Sequence, residues 1–543
     1  MSKSENSLNR RNFVRNLSGI VIGTAAALGV NAAEKPKGTQ AKKNVSRKER
    51  CIQLRKDALK RISEIPFPDH MTNGDEERYE RKIGNFSKGL AKNELSEVRP
   101  ESYANMVKAI ESGEYSDFEK IGLGGHLKLS NPMAAYSFAL EGNDPFQFAC
   151  APPPPFASAE LAAEMIELYW MSLLRDVPFN QYESHPAVAK AAAELASLNL
   201  RNCTNITPAS IFRGAPAGEL VGPLISQFLW LDVPYGAGSI VQKYKFPHPG
   251  IDFMADYQEW LSIQRGYFPK EAMTPSSTLG YIRTGRDLAE WDHRDFSFQG
   301  CINAALILLG PAYSQKPQRV PFSARNPYIE SLTQSGFCTF GGPFVLDMVG
   351  RASSAALRAT WTQKWTVHRY LRPEEFGGKV HNHLAKKAVY PIHESLLNSK
   401  VLEELRKTQE TFLLSQTYPE GSPLHPSYQS GHAVLAGAGV TVLKALFNED
   451  FVLPKPVVPD ADGQVLMKYR GASLTIGNEL NKLAANIAFG RNFAGIHWRS
   501  DAIEGLLLGE SAAISVLQDM KPALAESFEC FEFTKFDGTK QRI

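Results

Sequence analysis

Seven of the twelve histidines, at positions 368, 381, 383, 393, 425, 432 and 497, fall within about a quarter of this 543-residue chain. Three short segments of that stretch, 361–373, 425–439 and 490–501, set imidazoles beside cations and helix ends. In Lys364-Trp365-Thr366-Val367-His368-Arg369-Tyr370-Leu371-Arg372-Pro373, a helical path puts Lys364 and His368 one turn apart, with Arg372 about a turn beyond. Pro373 disfavours helical backbone at Arg372, so that guanidinium belongs where the helix breaks. Trp361 and Trp365 argue against a merely solvated basic face, because both large rings need burial beside the cations. In His425-Pro426-Ser427-Tyr428-Gln429-Ser430-Gly431-His432, Ser430 reads as an N-cap, with Gly431 and His432 in the first helical turn. A helix start offers free N–H groups and a positive dipole end, which suits an anion, and Gly431 admits a ligand close to the backbone. In Gly490-Arg491-Asn492-Phe493-Ala494-Gly495-Ile496-His497-Trp498-Arg499-Ser500-Asp501, a helix starting near His497 places Asp501 one turn on. Asp501 then holds the ring nitrogen that faces away from a ligand. The Gly-containing turn after Arg491 brings its guanidinium toward the same point.

Taken together, Lys364, Arg372 and Arg491 are three cations, joined by the Ser430 hydroxyl, the Gly431 N–H and two or three imidazoles. Asp501 is the sole carboxylate within these segments, and His497 claims it. Three buried cations repel and lose solvation unless a multiply charged tetrahedral oxyanion, phosphate or vanadate, sits among them. Two imidazoles then divide the work: one attacks or coordinates the central atom, and the other moves protons. His381-Asn382-His383 has no further ligand nearby and reads as loop surface.

The elements that must position these groups are mostly helical. Ala157 to Arg175 carries one broad apolar face, entered from the Pro152–Pro155 loop and ended by Val177-Pro178. Further helical stretches begin near Pro186, Ala304, Gly350, Val401, His432, Leu474 and Asp501. Strand candidates are few, around 338–340 and 452–458, and the Gly/Pro/Tyr-rich passage 233–252 reads as loop. The fold class is mainly α, helical bundles with long loops and little strand. Hydrophobic residues at 43% and charged residues at 22% exclude a disordered, collagen-like or disulfide-scaffold chain. Six cysteines show no Cys-x-x-Cys pair, which argues against a zinc knuckle. The net charge of +3 is uneven: residues 1–33 carry four bases and one acid, and 34–60 carry ten bases and three acids. A basic arm on a mildly acidic body is poor grounds for nucleic-acid binding. Asn9-Arg10-Arg11-Asn12-Phe13, an apolar stretch from Leu17 to Val30 and then Ala32-Ala33 form a signal pattern of twin-arginine type. The expected organisation is an export signal over 1–33, a basic linker over 34–50 and one large helical domain over 51–543. The expected location is the periplasm or the medium, with no membrane span.

The three segments resemble the signatures of the vanadium-dependent haloperoxidases, whose active site is shared with the acid phosphatases and type 2 phosphatidic acid phosphatases. Trp-Thr-x-Lys-Trp-x-Val-His-Arg at 361–369 and His-Pro-Ser-Tyr-x-Ser-Gly-His at 425–432 are most like the bromoperoxidase-type members. The likeness extends upstream through Asn73-Gly74-Asp75-Glu76, Asn85–Leu90 and Arg213-Gly214. The resemblance implies two four-helix bundles flanking one anion, with vanadate as cofactor and a homodimer or larger assembly. It implies that His497 bonds vanadium and that Lys364, Arg372, Ser430, Gly431 and Arg491 hold the oxygens. It implies His432 as the acid–base residue where peroxide enters. Hydrogen peroxide, a halide and small organic compounds are the implied substrates. The alternative from the same pocket is an acid phosphatase with a phosphohistidine at His497. Algal relatives carry a structural calcium, but near 326–334 Glu330 is the only acid, so its loop is not evident. An imidazole at His425, seven residues before His432, can share a hydrogen-bond network with it and disfavour its protonation. That points to bromide and iodide over chloride.

Overall fold

The computed structural model describes residues 45–203, 205–214, 216–310 and 320–543. The export segment assigned to 1–33, and residues 34–44 of the arm, lie outside them. The chain divides into two compact units at Gln53/Leu54. Of the first, residues 45–53 are described, and a helix, Arg47–Glu64, starts there.

The second unit is built largely of helices, among them α1 (Ala159–Leu174), α2 (Gly285–Arg294), α3 (Gly342–Thr362), α4 (Pro373–Leu384), α5 (Gly431–Leu446), α6 (Ile476–Phe493) and α7 (Arg499–Met520). Their starts follow local rules. Ser158 caps α1 by accepting from Leu161 N at 3.1 Å, Thr284 and Asp287 form a capping box on α2, and Thr475 caps α6. Every residue of α5 except His432 is buried, as expected of an apolar helix at a bundle centre. It packs on α3, α6 and α7. Two glycines allow its closest crossing: a Cβ at Gly437 would lie 2.4 Å from Leu506 O, and one at Gly509 would lie 2.2 Å from Val434 O.

Among the described residues the sheets are four two-stranded antiparallel pairs. Two of them, 233–235 with 238–240 and 244–247 with 275–280, contradict the loop expected over 233–252. The β-forming Val233, Tyr235, Ile240, Tyr244 and Phe246 alternate there with Gly and Pro that mask the pattern. At 337–340 only an isolated bridge forms, Phe337 with Phe340, while Val457–Pro459 is a strand. His381 and His383 also depart from expectation: they lie in the last turn of α4, and His381 is buried, accepting from Phe412 N at 3.3 Å. No helix of the described residues is long and apolar enough to cross a membrane.

Candidate active site

The first segment leaves α3 through a wider turn. Residues Gln363–His368 form a π-helical stretch, Arg369 adopts a left-handed conformation at φ 40°, and Arg372 is extended at the start of α4. Pro373 in the first turn of α4 keeps the chain from continuing as one helix. Lys364 Nζ donates to Pro426 O at 2.8 Å and Ser427 O at 2.6 Å, so it straps the second segment. Arg372 joins all three segments. Its Nε donates to His425 O at 3.1 Å, one terminal nitrogen to Ile496 O and His497 Nε2 at 2.9 Å each, and the other to His425 Nδ1 at 3.0 Å.

Ser430 caps α5, accepting from Ala433 N at 3.4 Å, and its own N–H donates to Asp501 O at 3.1 Å. Helix α7 begins two residues after His497, with Asp501 in its first turn. Asp501 Oδ2 lies 2.7 Å from His497 Nδ1, accepts from Trp498 N at 3.1 Å and also receives the Ser427 hydroxyl. A guanidinium only donates, so Arg372 requires a lone pair on His497 Nε2, and the ring proton sits on Nδ1 facing Asp501. Arg491, in the last turn of α6, donates to Asp292 O at 3.0 Å, while its cation lies 5.4 Å from the Tyr418 ring centre. His432 Nε2 is 3.0 Å from Asp295 Oδ1. His432 retains 28% of its side-chain exposure, against 0% for Lys364 and Arg372 and 2% for His497.

Burial pushes Lys364 well below the usual lysine range, and Arg372 and Arg491 push it further against Asp501. Burial brings Arg372 down to about 10. Burial, then Arg372, Lys364 and Arg491, hold His497 far below the usual imidazole range. His425 is held low by burial and then by Lys364 and Arg372. Asp501 is raised by burial to about 6, opposed by Lys364 and by its hydrogen bonds. His432 is lowered by burial and then Arg491, with Asp295 pulling the other way. These signs describe a cation cluster that lacks its counter-charge.

Two carboxylates absent from the sequence reading complete the site. At the end of α2, Asp292 accepts from Arg491 through its main-chain carbonyl and Asp295 reaches His432 through its carboxylate, from some 140–200 positions upstream. Asp292 is fully buried with neither carboxyl oxygen hydrogen-bonded, and burial and Asp295 hold it well above the usual range against Arg491. His293, bonded to Glu290 at 3.2 Å and Glu420 at 2.6 Å, stacks on Tyr418 at 3.8 Å and so braces the ring under Arg491. The run Asp292-His293-Arg294-Asp295 was the available signal; at a helix end it looks like ordinary solvated charge. The network expected between His425 and His432 takes another form: His425 bonds Arg372, and its ring lies 4.9 Å from that of Trp361. Asp292, Asp295 and His432 are also the one His/Cys/Asp/Glu group able to hold a cation among the described residues, and it lies away from 326–334.

The residues present fit a tetrahedral oxyanion. Arg491 Nε is buried without a partner. A Cβ at Gly431 would meet nothing nearer than Trp361 at 3.6 Å, so no protein atom explains a glycine there. The hydrogen bonds of Lys364 and Arg372 go to carbonyls and imidazoles, with no carboxylate neutralising them.

A bundle of α3, α5, α6 and α7, joined by the turn from α3 into α4, that buries three cations with an aspartate-held imidazole defines a helical oxyanion-binding enzyme. Residues 345–525 match the family model of the VCPO second helical-bundle domain. The chain is 36% identical over 482 residues to a vanadium-dependent bromoperoxidase of Ascophyllum nodosum, covering 83% of this chain and 85% of that one. It is 33% identical over 557 residues to one of Corallina officinalis, covering 85% and 91%. A solved structure, the homohexameric second vanadate-dependent bromoperoxidase of Ascophyllum nodosum, superposes with a TM-score of 0.85 at 28% identity. It covers 95% of this chain and 94% of that one. The chain belongs to the vanadium-dependent bromoperoxidase family.

Proposed function

We propose that the enzyme uses vanadate to oxidise halide with hydrogen peroxide, giving a hypohalous species that halogenates small organic compounds. The observation that carries this is the Arg372 contact on His497, whose far nitrogen Asp501 holds, with the Lys364 and Arg491 charges lowering the pKa of the same imidazole after burial and Arg372. When bound, vanadate supplies a Lewis-acidic centre that needs no change of oxidation state. His497 Nε2 would give to the metal the lone pair that Arg372 now takes in a hydrogen bond, and Lys364, the released Arg372, Arg491, Ser430 and the Gly431 N–H would hold the oxygens. His432 moves the proton of the incoming peroxide, with Asp295 orienting its ring. An anion against Arg491 offsets the cation that depresses His432, so proton affinity there rises once the cofactor is in place. His425, kept neutral, locks Arg372.

Bromide is the preferred halide, with iodide also accepted; the names of the bromoperoxidase relatives support the bromide part of this reading. The same relatives support oxidation over a phosphatase working through a phosphohistidine at His497. Halogenation of a dye by bromide and peroxide, with vanadate-free protein before and after added orthovanadate, tests the proposal. Turnover without vanadate, or none with it, would overturn it. The paired arginines and apolar segment of 1–33 support export, tested by the amino terminus of the secreted form. The hexameric structural relative supports a homo-oligomer, tested by light scattering in solution.

A further inference from the structure

A cleft of about 260 Å³ lies between the 244–247/275–280 strand pair and the end of α2. Its lining combines the apolar Tyr244, Met273 and Trp291 with the charged Lys245, Glu290, Arg294 and Asp295. Through Asp295 its inner end is one hydrogen bond from His432, at 3.0 Å. His432 is also the more exposed part of the site, whereas Lys364, Arg372 and His497 are sealed.

We propose that oxidised halogen leaves by this cleft and that the Met273 thioether is the first protein group it oxidises. The inference rests on the halide oxidation proposed above, which supplies the oxidant. Hypobromous acid delivers its oxygen to the sulfur lone pair: an S–O bond forms, and the O–Br bond breaks. Sulfur gives up two electrons, bromine takes them and departs as bromide, and the hydroxyl proton passes to water. The product is methionine sulfoxide, which turns an apolar wall polar. An organic acceptor competes with Met273 for the oxidant in this cleft. The Tyr244 and Trp291 walls suit a planar, electron-rich ring.

The experiment compares two sources of the same oxidant. Vanadate-loaded enzyme turns over bromide and peroxide without an organic acceptor, and peptide mass spectrometry records which methionines gain one oxygen. A second sample receives reagent hypobromite from solution, and peroxide alone is the blank. Met71 and Met467 are 68% and 56% exposed while Met273 is half-buried, so the reagent oxidises the first two ahead of Met273. Turnover reverses that order. Met273→Leu keeps halide oxidation in a parallel dye assay and loses the early oxygen uptake. Oxidation of Met71 and Met467 first in both samples, or modification of Trp361 before Met273, overturns the exit route. A halogenated dye with Met273 intact refutes the route alone, whereas no dye halogenation at all also sinks the functional reading beneath it.

Discussion

Asp501→Asn tests whether the carboxylate behind His497 sets the tautomer that binds the cofactor. The substitution keeps the volume and leaves an oxygen for Trp498 N, which donates at 3.1 Å, but removes the charge 2.7 Å from His497 Nδ1. An amide N–H facing Nδ1 favours the opposite tautomer, with the proton on Nε2 and no lone pair left toward the anion cradle. It also removes the one negative charge that opposes the depression of Lys364. Partners in this position are worth about 10–100-fold in metal affinity, which corresponds to roughly 1.4–2.7 kcal/mol. We therefore expect the vanadate Kd to rise by about 10–100-fold, with the fold intact by circular dichroism. Titration calorimetry with orthovanadate measures it directly. The pH response gives a second reading. Asp501 is raised to about 6 from a usual value of 3.8. Its contribution to stability is thus present below the lower value and lost as pH rises through the higher one. The vanadate-free wild type should lose melting temperature across that window, and the variant should lack this component. An unchanged vanadate affinity in the folded variant would refute the tautomer argument.

Three further outcomes follow from the same geometry. Gly431→Ala adds a methyl 3.6 Å from Trp361, an ordinary contact, and gains up to about 1 kcal/mol of helix propensity. The vanadate-free melting temperature should hold or rise while vanadate affinity falls; unaltered affinity would show that no ligand approaches Gly431. Lys364 is depressed by burial and by Arg372, and a bound anion favours its charged form, so phosphate binding near neutrality should take up protons. Calorimetry in buffers of different ionisation enthalpy should show this uptake, and Lys364→Met should remove its part. Glu164, buried against Ser500, is raised by burial to about 8 from 4.5. Its stabilisation is complete below the lower value and lost as pH rises through the higher one, so Glu164→Gln should melt above the wild type at alkaline pH in a thermal scan.

What could be read from the sequence was what local rules decide. The α1 helix, Ser430 as a cap, Arg372 at a helix break before Pro373 and Asp501 one turn from His497 each depend on neighbours within about five positions. The strands at 244–247 and 275–280 escaped because they pair across a long gap with a register shift between Lys245 and Pro247. Asp292 and Asp295 escaped for a related reason. Their neighbours in sequence are polar, and only the packing of α2 against α6 shows that Asp292 is fully buried beside Arg491.

The upstream motif Asn85–Leu90 acquires a physical purpose from the same packing. Helix α4 opens with Pro373, Glu374 and Glu375 after Arg372, and two unpaired carboxylates so close would compete with an anion for the guanidinium. Lys88 takes Glu374 at 2.6 Å and Lys92 takes Glu375 at 3.2 Å, both pairs fully or almost fully buried. Glu374 also receives Gln264 at 2.9 Å and the Ser422 hydroxyl at 2.7 Å, and Glu375 receives the Ser87 hydroxyl at 2.8 Å. Buried ion pairs of this kind contribute little net stability, because desolvation offsets most of their attraction. Their effect is selective. They occupy the acids at the start of α4 and leave the Arg372 guanidinium turned toward His425, Ile496 and His497. The site's unpaired positive charge is thus maintained by a neighbouring layer in which each acid already has its own cation.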